Sequence, residues 1–320
     1  MTQDSIKTTL KKRNLRPSKR LGQNFLIDKN ILDKIAQAAD LNINDIVLEI
    51  GPGTGALTKI LAQKVHPVKS SQNEAFSEGE RFNRVKRVVA VEKDRNMVKI
   101  LQEELKGFKN VEIIHGDIRR HPLRMFGEDS PLQFKVVGNL PFYLTAPVIR
   151  KFLEYTETGL EYTESGSLYS ALEMMVLVVQ KEVGQRICAK PPRMNLLAVS
   201  IQVYAAPEII SYVSKNSFWP RPKVDAAIIK ITPKNQLTGD SELFFKIVKA
   251  GFAHPRKQLI NNLSGGLKIS RESAESWLLK NNIQPTQRAE TLSVDNWVNL
   301  SKTYQSYGWS KPGFDHKFFP

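Results

Sequence analysis

The stretch Asp45-Ile46-Val47-Leu48-Glu49-Ile50-Gly51-Pro52-Gly53-Thr54-Gly55 decides the fold class of this chain. Its largely aliphatic first half predicts a buried strand, and the apolar positions over 56–61 predict a helix. The glycines between them predict a turn in which the backbone can approach a ligand at the helix N-terminus. Because the spacing of Gly51, Gly53 and Ala56 also fits the dinucleotide-binding pattern, the type of cofactor stays open at this point.

Strands and helices alternate outward from this stretch. Further strands are predicted over 88–92, 111–117, 136–137, 174–180, 199–204 and 226–231. Helices are predicted over 29–39, 94–105, 146–153 and 181–188, the first of them capped by Asp28. Such alternation is typical of an open α/β sheet.

Beyond about residue 236 only helical patterns remain, over 241–252, 255–263, 270–280 and 293–304. We therefore expect a larger α/β domain over 21–235 and a small α-helical domain over 236–307. A basic arm over 1–20 precedes them and a tail over 308–320 follows them. Two polar inserts are predicted in the larger domain, near 66–84 and 156–168.

The charge balance points to an anionic partner. Lys and Arg number 47 against 32 Asp and Glu, which gives a net charge of +15 and favours a polyanion or an anionic membrane face. No apolar run approaches the roughly 18 residues that span a bilayer, and the N-terminus lacks the apolar block of a signal peptide. The single cysteine, Cys188, excludes an internal disulfide and suits a reducing cytoplasm, and the scattered histidines predict no metal site.

The basic arm has two possible interpretations. Its cationic side chains are Lys7, Lys11, Lys12, Arg13, Arg16, Lys19 and Arg20, against one acid, Asp4. It is either a mobile, solvated tail or a segment that contacts phosphates.

Polar and aromatic residues follow the strand predicted at 136–137, in the order Gly138-Asn139-Leu140-Pro141-Phe142-Tyr143. This order places an amide side chain, a backbone carbonyl and an aromatic ring at the open end of a strand. An amide can hydrogen-bond the edge of a nucleobase, and a ring can stack on its face. An ordinary turn with Phe142 and Tyr143 in the core explains the same residues, so both interpretations stay open.

An acidic residue ends each of two predicted strands. Glu92 can accept both ribose hydroxyls of a nucleoside cofactor, or it is a solvated acid that caps the helix over 94–105. Asp117 can accept the exocyclic amine of an adenine, or it forms a turn.

Six motifs in this order resemble the ribosomal RNA adenine N6,N6-dimethyltransferases of the small-subunit type. They are Gly22-Gln23-Asn24-Phe25-Leu26, Glu49-Ile50-Gly51-Pro52-Gly53-Thr54-Gly55, Val91-Glu92, Gly116-Asp117, Asn139-Leu140-Pro141-Phe142 and Pro220-Arg221-Pro222-Lys223-Val224-Asp225. The resemblance covers nearly the whole chain. It implies a Rossmann-like, S-adenosylmethionine-dependent methyltransferase sheet with a small C-terminal α-helical domain that contacts RNA.

The resemblance also implies an activity. We expect a cytoplasmic, monomeric enzyme that transfers methyl groups from S-adenosylmethionine to N6 of two adjacent adenosines near the 3′ end of small-subunit (16S) ribosomal RNA. Its partner would be that RNA or the assembling small subunit, during ribosome biogenesis.

Residue roles follow from the same resemblance. The implied cofactor-binding residues are Asn24, Leu26, Gly51, Gly53, Glu92, Asp117 and Asn139. Asn24 and Leu26 would line the cofactor mouth, Glu92 would hold the ribose, and Asp117 the adenine amine. The implied catalytic residues are Asn139, Leu140, Pro141 and Phe142. The implied RNA-binding residues are Arg16, Lys19, Arg20, Arg221, Lys223, Arg256 and Lys257.

The chain departs from the family pattern at two single positions. Phe142 stands where Tyr is commoner, which keeps a stacking face and removes a hydroxyl. Pro255 stands where a second basic residue is expected, and this puts one RNA contact in doubt.

Three alternatives remain at this stage. A large-subunit dimethyltransferase of the antibiotic-resistance type would share the cofactor site, although the run over 220–225 favours the small-subunit type. A nucleotide-dependent oxidoreductase using NAD(P) is compatible with the glycine spacing, but it does not require the basic charge or the motif over 139–142. A ribosome-assembly protein whose catalysis is secondary is the third.

Overall fold

The computed structural model of this protein describes residues 3–63, 85–120, 133–158, 172–234, 240–307 and 309. The insert predicted near 66–84 and most of that near 156–168 lie outside the described residues, as does the predicted tail apart from Trp309.

Nine strands occur in the described part of the chain. They are β1 Phe25–Leu26, β2 Ile46–Ile50, β3 Arg87–Glu92, β4 Val111–His115, β5 Phe134–Asn139, β6 Leu172–Gln180, β7 Ala205–Val213, β8 Phe218–Trp219 and β9 Ala226–Pro233. Seven of them form one sheet in the order β4-β3-β2-β5-β6-β9-β7. Strands β4, β3, β2, β5 and β6 are parallel, and β9 pairs antiparallel with β6. The predicted α/β class is therefore confirmed.

Helices lie between several of these strands and follow the last of them. The α-helices of the described residues are α1 Gln3–Lys12, α2 Lys29–Ala38, α3 Ala56–Gln63, α4 Arg95–Glu104, α5 Thr145–Thr158, α6 Lys181–Ile187, α7 Leu196–Gln202, α8 Ser241–Gly251, α9 Leu259–Leu267, α10 Arg271–Lys280 and α11 Val294–Ser306. Short 3-10 helices cover Phe142–Leu144, Lys215–Ser217 and Ala289–Thr291. None of these helices is long and apolar enough to cross a membrane, within the residues described.

The parallel register brings the carboxyl ends of the central strands to one edge of the sheet. Ile50 of β2 lies opposite Val91 of β3 on one side and Gly138 of β5 on the other. Backbone hydrogen bonds continue past the strand ends, from Gly51 N to Val91 O at 3.0 Å. Ligands of open α/β sheets bind at this edge, so it is the expected position of a functional site.

Helix α2 shows how local signals place an element against the sheet. The side chain of Asp28 accepts a hydrogen bond from Asn30 N at 3.0 Å and caps the helix, as the sequence predicts. Ile31, Leu32 and Ile35 lie on its buried face and pack in the core beside the strands. The cap and the apolar face together fix both the start of the helix and its orientation.

The strand predicted over 199–204 is wrong, because Leu196–Gln202 forms helix α7. Asn195 caps it by accepting a hydrogen bond from Ala198 N at 3.1 Å. All residues over 197–201 are buried, so the helix is apolar on nearly every side and its sequence resembles a strand. The actual strand is β7, which follows it directly and was not predicted.

The N-terminal arm is not a mobile tail over 3–12, where it forms helix α1. Ile6 and Leu10 are fully buried and pack with Phe25, Met97 and Ile100. The helix is therefore part of the packed domain, and it leaves its basic side chains on the surface.

Contacts divide the chain into two compact units. The first comprises Met1–Gly184 and Glu208–Pro233, and the second comprises Gln185–Pro207 and Lys234–Pro320. The second unit thus includes a segment from the middle of the chain, which the prediction assigned to the larger domain. Its core holds two fully buried tryptophans, Trp277 and Trp297. The functional domain boundaries named above stay a prediction.

We expect Lys135→Met to lower the free energy of unfolding by about 3 kcal/mol, because the buried Asp45 carboxylate loses its cationic partner and keeps only hydrogen bonds from Asn42. Lys135 is 2% exposed, and its Nζ donates to Asp45 Oδ2 at 2.8 Å and to Asp40 O at 2.6 Å. Denaturant titration measures the loss, with exposed Lys99→Met as the matched control. Lys135→Met with Asp45→Asn should lose less than the single variant. Equal stabilities of Lys135→Met and the control would contradict the structural role of this pair.

Candidate active site

One cleft lies at the carboxyl edge of the sheet in the first compact unit. Its empty volume is about 1070 Å³, including the space open to solvent. The cleft is lined by all the residues predicted to bind cofactor or to act in catalysis: Asn24, Leu26, Gly51, Gly53, Glu92, Asp117, Asn139, Leu140, Pro141 and Phe142. The structure therefore brings together residues that are far apart in the sequence.

The glycine turn after β2 lines this cleft. Gly51 has a φ of +68°, and a Cβ built there would have no atom within 4 Å, so the backbone is open to a ligand. Gly53 has a φ of +58°, and a Cβ there would lie 3.0 Å from Phe25 Cε1. The turn requires glycine at both positions, in one case for its conformation and in the other also for the aromatic ring packed against it.

Glu92 is held as a rigid acceptor. It is 7% exposed, its Oε2 accepts from Gly53 N at 3.1 Å, and its Oε1 accepts from Asp94 N at 2.8 Å. Burial raises its pKa, and these two backbone N–H groups oppose the rise. The interpretation of Glu92 as a solvated helix cap is wrong, because Asp94 caps α4 by accepting from Asn96 N at 2.9 Å.

A second buried carboxyl lines the cleft, and sequence reasoning did not single it out. Glu49 is 1% exposed, and its Oε2 has no hydrogen-bond partner among the described residues. Burial raises the pKa of Glu49 to about 8; the Thr58 hydroxyl opposes the rise and the charge of Glu92 adds to it. The feature of the sequence that could have identified Glu49 is the presence of an acidic residue inside an otherwise aliphatic strand.

Asn139 has a fixed orientation at the end of β5. Its Nδ2 donates to Asn24 O at 2.9 Å, so its Oδ1 lies at the opposite end of the planar amide as an acceptor. The 3-10 turn after it is closed by Leu144 N donating to Pro141 O at 2.8 Å. The hydrogen bond between Asn139 and Asn24 therefore joins two segments that are distant in the sequence and that both line the cleft.

The two aromatic residues of this turn have different environments. Phe142 is half-buried and lines the cleft, whereas Tyr143 also lines it but is 48% exposed. The interpretation of both rings as core residues is therefore wrong for Tyr143.

Asp117 lines the cleft as an ionised carboxylate. Its carboxylate accepts from Arg119 at 2.7 Å and from Lys93 Nζ at 2.9 Å, and Arg119 in particular holds the pKa of this carboxyl well below its usual range. Arg119 N also donates to Asp117 Oδ1 at 3.1 Å, so the residue forms a turn as well. Arg119 Nε donates to Oδ1 as well, at 3.1 Å. A carboxylate has about four acceptor positions, so a further donor has to replace one of these four contacts.

Phe218 also reaches the cleft, through a pairing that the sequence did not predict. Strand β8 pairs antiparallel with β1, so that Phe25 lies opposite Trp219. The Ser217 hydroxyl donates to Asp28 Oδ2 at 3.0 Å and ties the two segments further. The motifs over 22–26 and 220–225 are therefore neighbours in space.

The residues predicted to contact RNA lie on the surface and do not line the cleft. Arg16, Lys19, Arg20, Arg221 and Lys223 are exposed in the first unit, and Arg256 and Lys257 are exposed in the second. In the second unit Asn262 shapes the connection that carries the last two, because its Nδ2 donates to Gly251 O at 2.7 Å and to His254 O at 3.0 Å. No group of acidic, His and Cys residues able to hold a metal occurs among the described residues.

The sequence as a whole matches the family model described as ribosomal RNA adenine dimethylase, over residues 14–71 and 77–306. The chain belongs to this family. Among its curated relatives is the ribosomal RNA small subunit methyltransferase A of Dehalococcoides mccartyi (strain CBDB1), 40% identical over 294 residues, which cover 91% of this chain and 89% of that protein. The protein of the same name from Alkaliphilus metalliredigens is 36% identical, over 92% of this chain and 94% of that one.

Solved structures share the fold of this dimethylase family member. A dimethyladenosine transferase from Plasmodium falciparum aligns with a TM-score of 0.66 at 21% identity, over 89% of this chain and 98% of that one. The 23S rRNA methyltransferase ErmE aligns with a TM-score of 0.62 at 23% identity, over 87% of this chain and 98% of that one. These likenesses establish the Rossmann-like sheet.

We expect Glu49→Gln to change how stability depends on pH. Because the pKa of Glu49 is about 8 when folded and near 4.5 as a free side chain, the native protein binds the extra proton between these values. Wild-type stability must then fall as pH rises through this range, and the amide variant lacks that loss. Denaturant titration should show the advantage of Glu49→Gln growing from pH 5 to pH 8. The exposed Glu182→Gln is the control, and a constant difference across this pH range would disprove the burial effect.

Proposed function

We propose that the protein transfers methyl groups from S-adenosylmethionine to N6 of two adjacent adenosines near the 3′ end of small-subunit (16S) ribosomal RNA. The products are N6,N6-dimethyladenosines, formed during ribosome biogenesis. The observation that carries this proposal is the anchored Asn139 amide, which shares one cleft with the buried carboxyls Glu49 and Glu92. Membership of the dimethylase family and the names of the curated relatives support it.

The cleft fits S-adenosylmethionine chemically. That molecule carries a cationic sulfonium, an ammonium group, a ribose diol and an adenine amine. Glu49 offers a buried carboxyl with an unpartnered oxygen, which suits a cationic or hydrogen-donating group. Glu92 offers a fixed carboxylate for the ribose, Asp117 an ionised one for the adenine amine, and Gly51 an open backbone. When bound, S-adenosylmethionine supplies an electrophilic methyl group.

The protein has to improve a poor nucleophile, because the lone pair of adenine N6 is delocalised into the ring. In our proposal Asn139 Oδ1 and the Leu140 carbonyl accept the two N6 hydrogens and favour a pyramidal nitrogen. Pro141 has no N–H and a fixed φ, so it holds this turn in place. Catalysis then depends on positioning, and no strong general base is needed, since the nitrogen loses its proton after its lone pair has reacted.

The adenine has to leave its stack to enter the cleft. Phe142 offers the face on which it stacks, worth about 1–3 kcal/mol by analogy with single-strand binders. Exposed Tyr143 beside it extends the aromatic surface at the entrance. The second methylation needs room for one methyl group and a fresh cofactor, because N6 keeps one hydrogen after the first.

RNA binding is assigned to the exposed basic residues of both units. Phosphate contacts of this kind make affinity salt-dependent, since each neutralised phosphate releases counterions. We infer that the assembling small subunit is the physiological particle. The monomeric state of the enzyme and its location in the cytoplasm stay predictions from the sequence.

The two enzymatic alternatives have less support. Relatives at 36–40% identity are named for the small subunit, whereas the large-subunit methyltransferase is similar at 23% and shares only the fold. The oxidoreductase rests on glycine spacing alone. Incubating small-subunit and large-subunit RNA, each both naked and in its assembling particle, with labelled S-adenosylmethionine, followed by mapping of dimethyladenosine, tests the proposal. Methylation of the large-subunit RNA alone would overturn it.

Asn139→Ala should reduce methyl transfer by about a hundredfold or more, the scale of removing one preorganised group from an active site. The same labelled-cofactor assay measures the loss. Circular dichroism checks the fold, and Asn30→Ala on the exposed surface of α2 is the matched control. A well-folded Asn139→Ala protein with normal turnover would remove this residue from the mechanism.

Arg256→Glu together with Lys257→Glu should raise the Michaelis constant for RNA and leave that for S-adenosylmethionine unchanged. The reason is the loss of phosphate contacts, which should also flatten the salt dependence of RNA binding by about one unit of slope per lost contact. Lys280→Glu with Lys302→Glu makes the same charge change on exposed helix positions of the same unit. Equal effects of the two pairs would show that only net charge matters.

A further inference from the structure

Gln23 uses both ends of its side-chain amide. Its Nε2 donates to Asp94 Oδ2 at 2.8 Å, and its Oε1 accepts from Ser18 N at 2.8 Å. The side chain is half-buried and lines the cleft. With both ends engaged, it joins the segment over 18–24 to the turn that follows β3.

Asp94 links these contacts to Glu92, the residue proposed to hold the ribose. Its Oδ1 accepts from Asn96 N at 2.9 Å and caps α4, and its own N–H donates to Glu92 Oε1 at 2.8 Å. Both oxygens of the Asp94 carboxylate are therefore committed, one to the helix and one to Gln23. Glu92 is held by the same turn.

The residue after Gln23, Asn24, contacts a second element that lines the cleft. Asn24 O accepts from Asn139 Nδ2 at 2.9 Å, and Asn24 Nδ2 donates to Gly22 O at 3.2 Å. Two consecutive residues thus hydrogen-bond two separate elements that line the cleft: Gln23 the turn that holds Glu92, and Asn24 the end of β5 with Asn139.

We propose that Gln23 is a positioning residue. Through its hydrogen bond to Asp94, it fixes the positions of Glu92 and Asn139 relative to each other. It acts on methyl transfer through these residues, so losing its contact with Asp94 weakens cofactor binding and slows turnover together. This role rests on the proposed function, because it assumes that cofactor and adenine occupy the same cleft.

The polarity of this contact can be reversed without losing a hydrogen bond. Gln23 must donate through Nε2, because its Oε1 already accepts from Ser18 N. In the double variant Gln23→Glu with Asp94→Asn, the new amide at 94 donates to the new carboxylate at 23. Ser18 N and Asn96 N each keep an oxygen acceptor in this double variant, and the net charge is unchanged.

The experiment compares wild type, both single variants and the double variant. Calorimetry without RNA gives the dissociation constant of S-adenosylmethionine, and methyl transfer to small-subunit RNA gives kcat and KM. Gln23→Glu opposes two carboxylates and should weaken cofactor binding about tenfold and reduce kcat about as much. Asp94→Asn opposes two amide N–H groups and should cost about threefold to tenfold in each. The double variant should return to within about twofold of wild type.

Rescue distinguishes positioning from a general loss of stability. Gln37→Glu, an exposed position on α2, makes the same change away from the cleft and should behave as wild type. The proposal is overturned if the two single losses multiply in the double variant, or if Gln23→Glu has normal kcat and affinity. If circular dichroism shows that Gln23→Glu does not fold, Gln23→Met replaces it. Its loss and that of Asp94→Asn should then not multiply when combined, and multiplying losses would overturn the proposal.

Failure of the proposed function has a different signature. A wild-type protein that binds S-adenosylmethionine but methylates neither small-subunit RNA nor its assembling particle would refute the proposed function. The four cofactor affinities would still decide whether Gln23 positions the site.

Discussion

The hydrogen bond from Asn139 Nδ2 to Asn24 O is the constraint on which the site depends. The two ends of an amide are chemically opposite, and an amino group such as adenine N6 can only be held by the end that accepts. Committing Nδ2 to a backbone carbonyl leaves Oδ1 as that acceptor. This hydrogen bond joins the last residue of β5 to the residue before β1. It also gives the Asn139 amide, whose two ends have similar shapes, a single orientation.

Charge is distributed unevenly between the cleft and the exposed surface of the described residues. The chain carries a net charge of +15, yet its cleft is lined by the acids Glu49, Glu92 and Asp117. The basic residues named for RNA are exposed outside it. Under the proposed function, a cationic cofactor and an anionic RNA would meet surfaces of opposite sign. Burial raises the pKa of Glu49 to about 8 and so keeps its carboxyl neutral near neutral pH.

The central parallel strands could be predicted because they are buried on both faces and so have continuous aliphatic sequences. Strands β2, β3 and β6 are of this kind. Strand β7 was missed because it lies at the edge of the sheet and has exposed and half-buried positions along most of its length. Helix α7 was mistaken for a strand because burial on nearly all sides removes the polar face that marks a surface helix.

The sequence by itself determined the strand-turn-helix unit around Gly51, the cap at Asp28, and the residue types that meet at the carboxyl edge of the sheet. These follow from patterns within a few neighbouring residues. Only the tertiary structure decided the direction of the Asn139 amide, the raised pKa of Glu49 and the contact of Gln23 with Asp94. The physical reason is separation along the chain: the partners are 115 residues apart for Asn24 and Asn139, and 71 for Gln23 and Asp94. Such pairs form only when sheet topology brings distant segments to one edge.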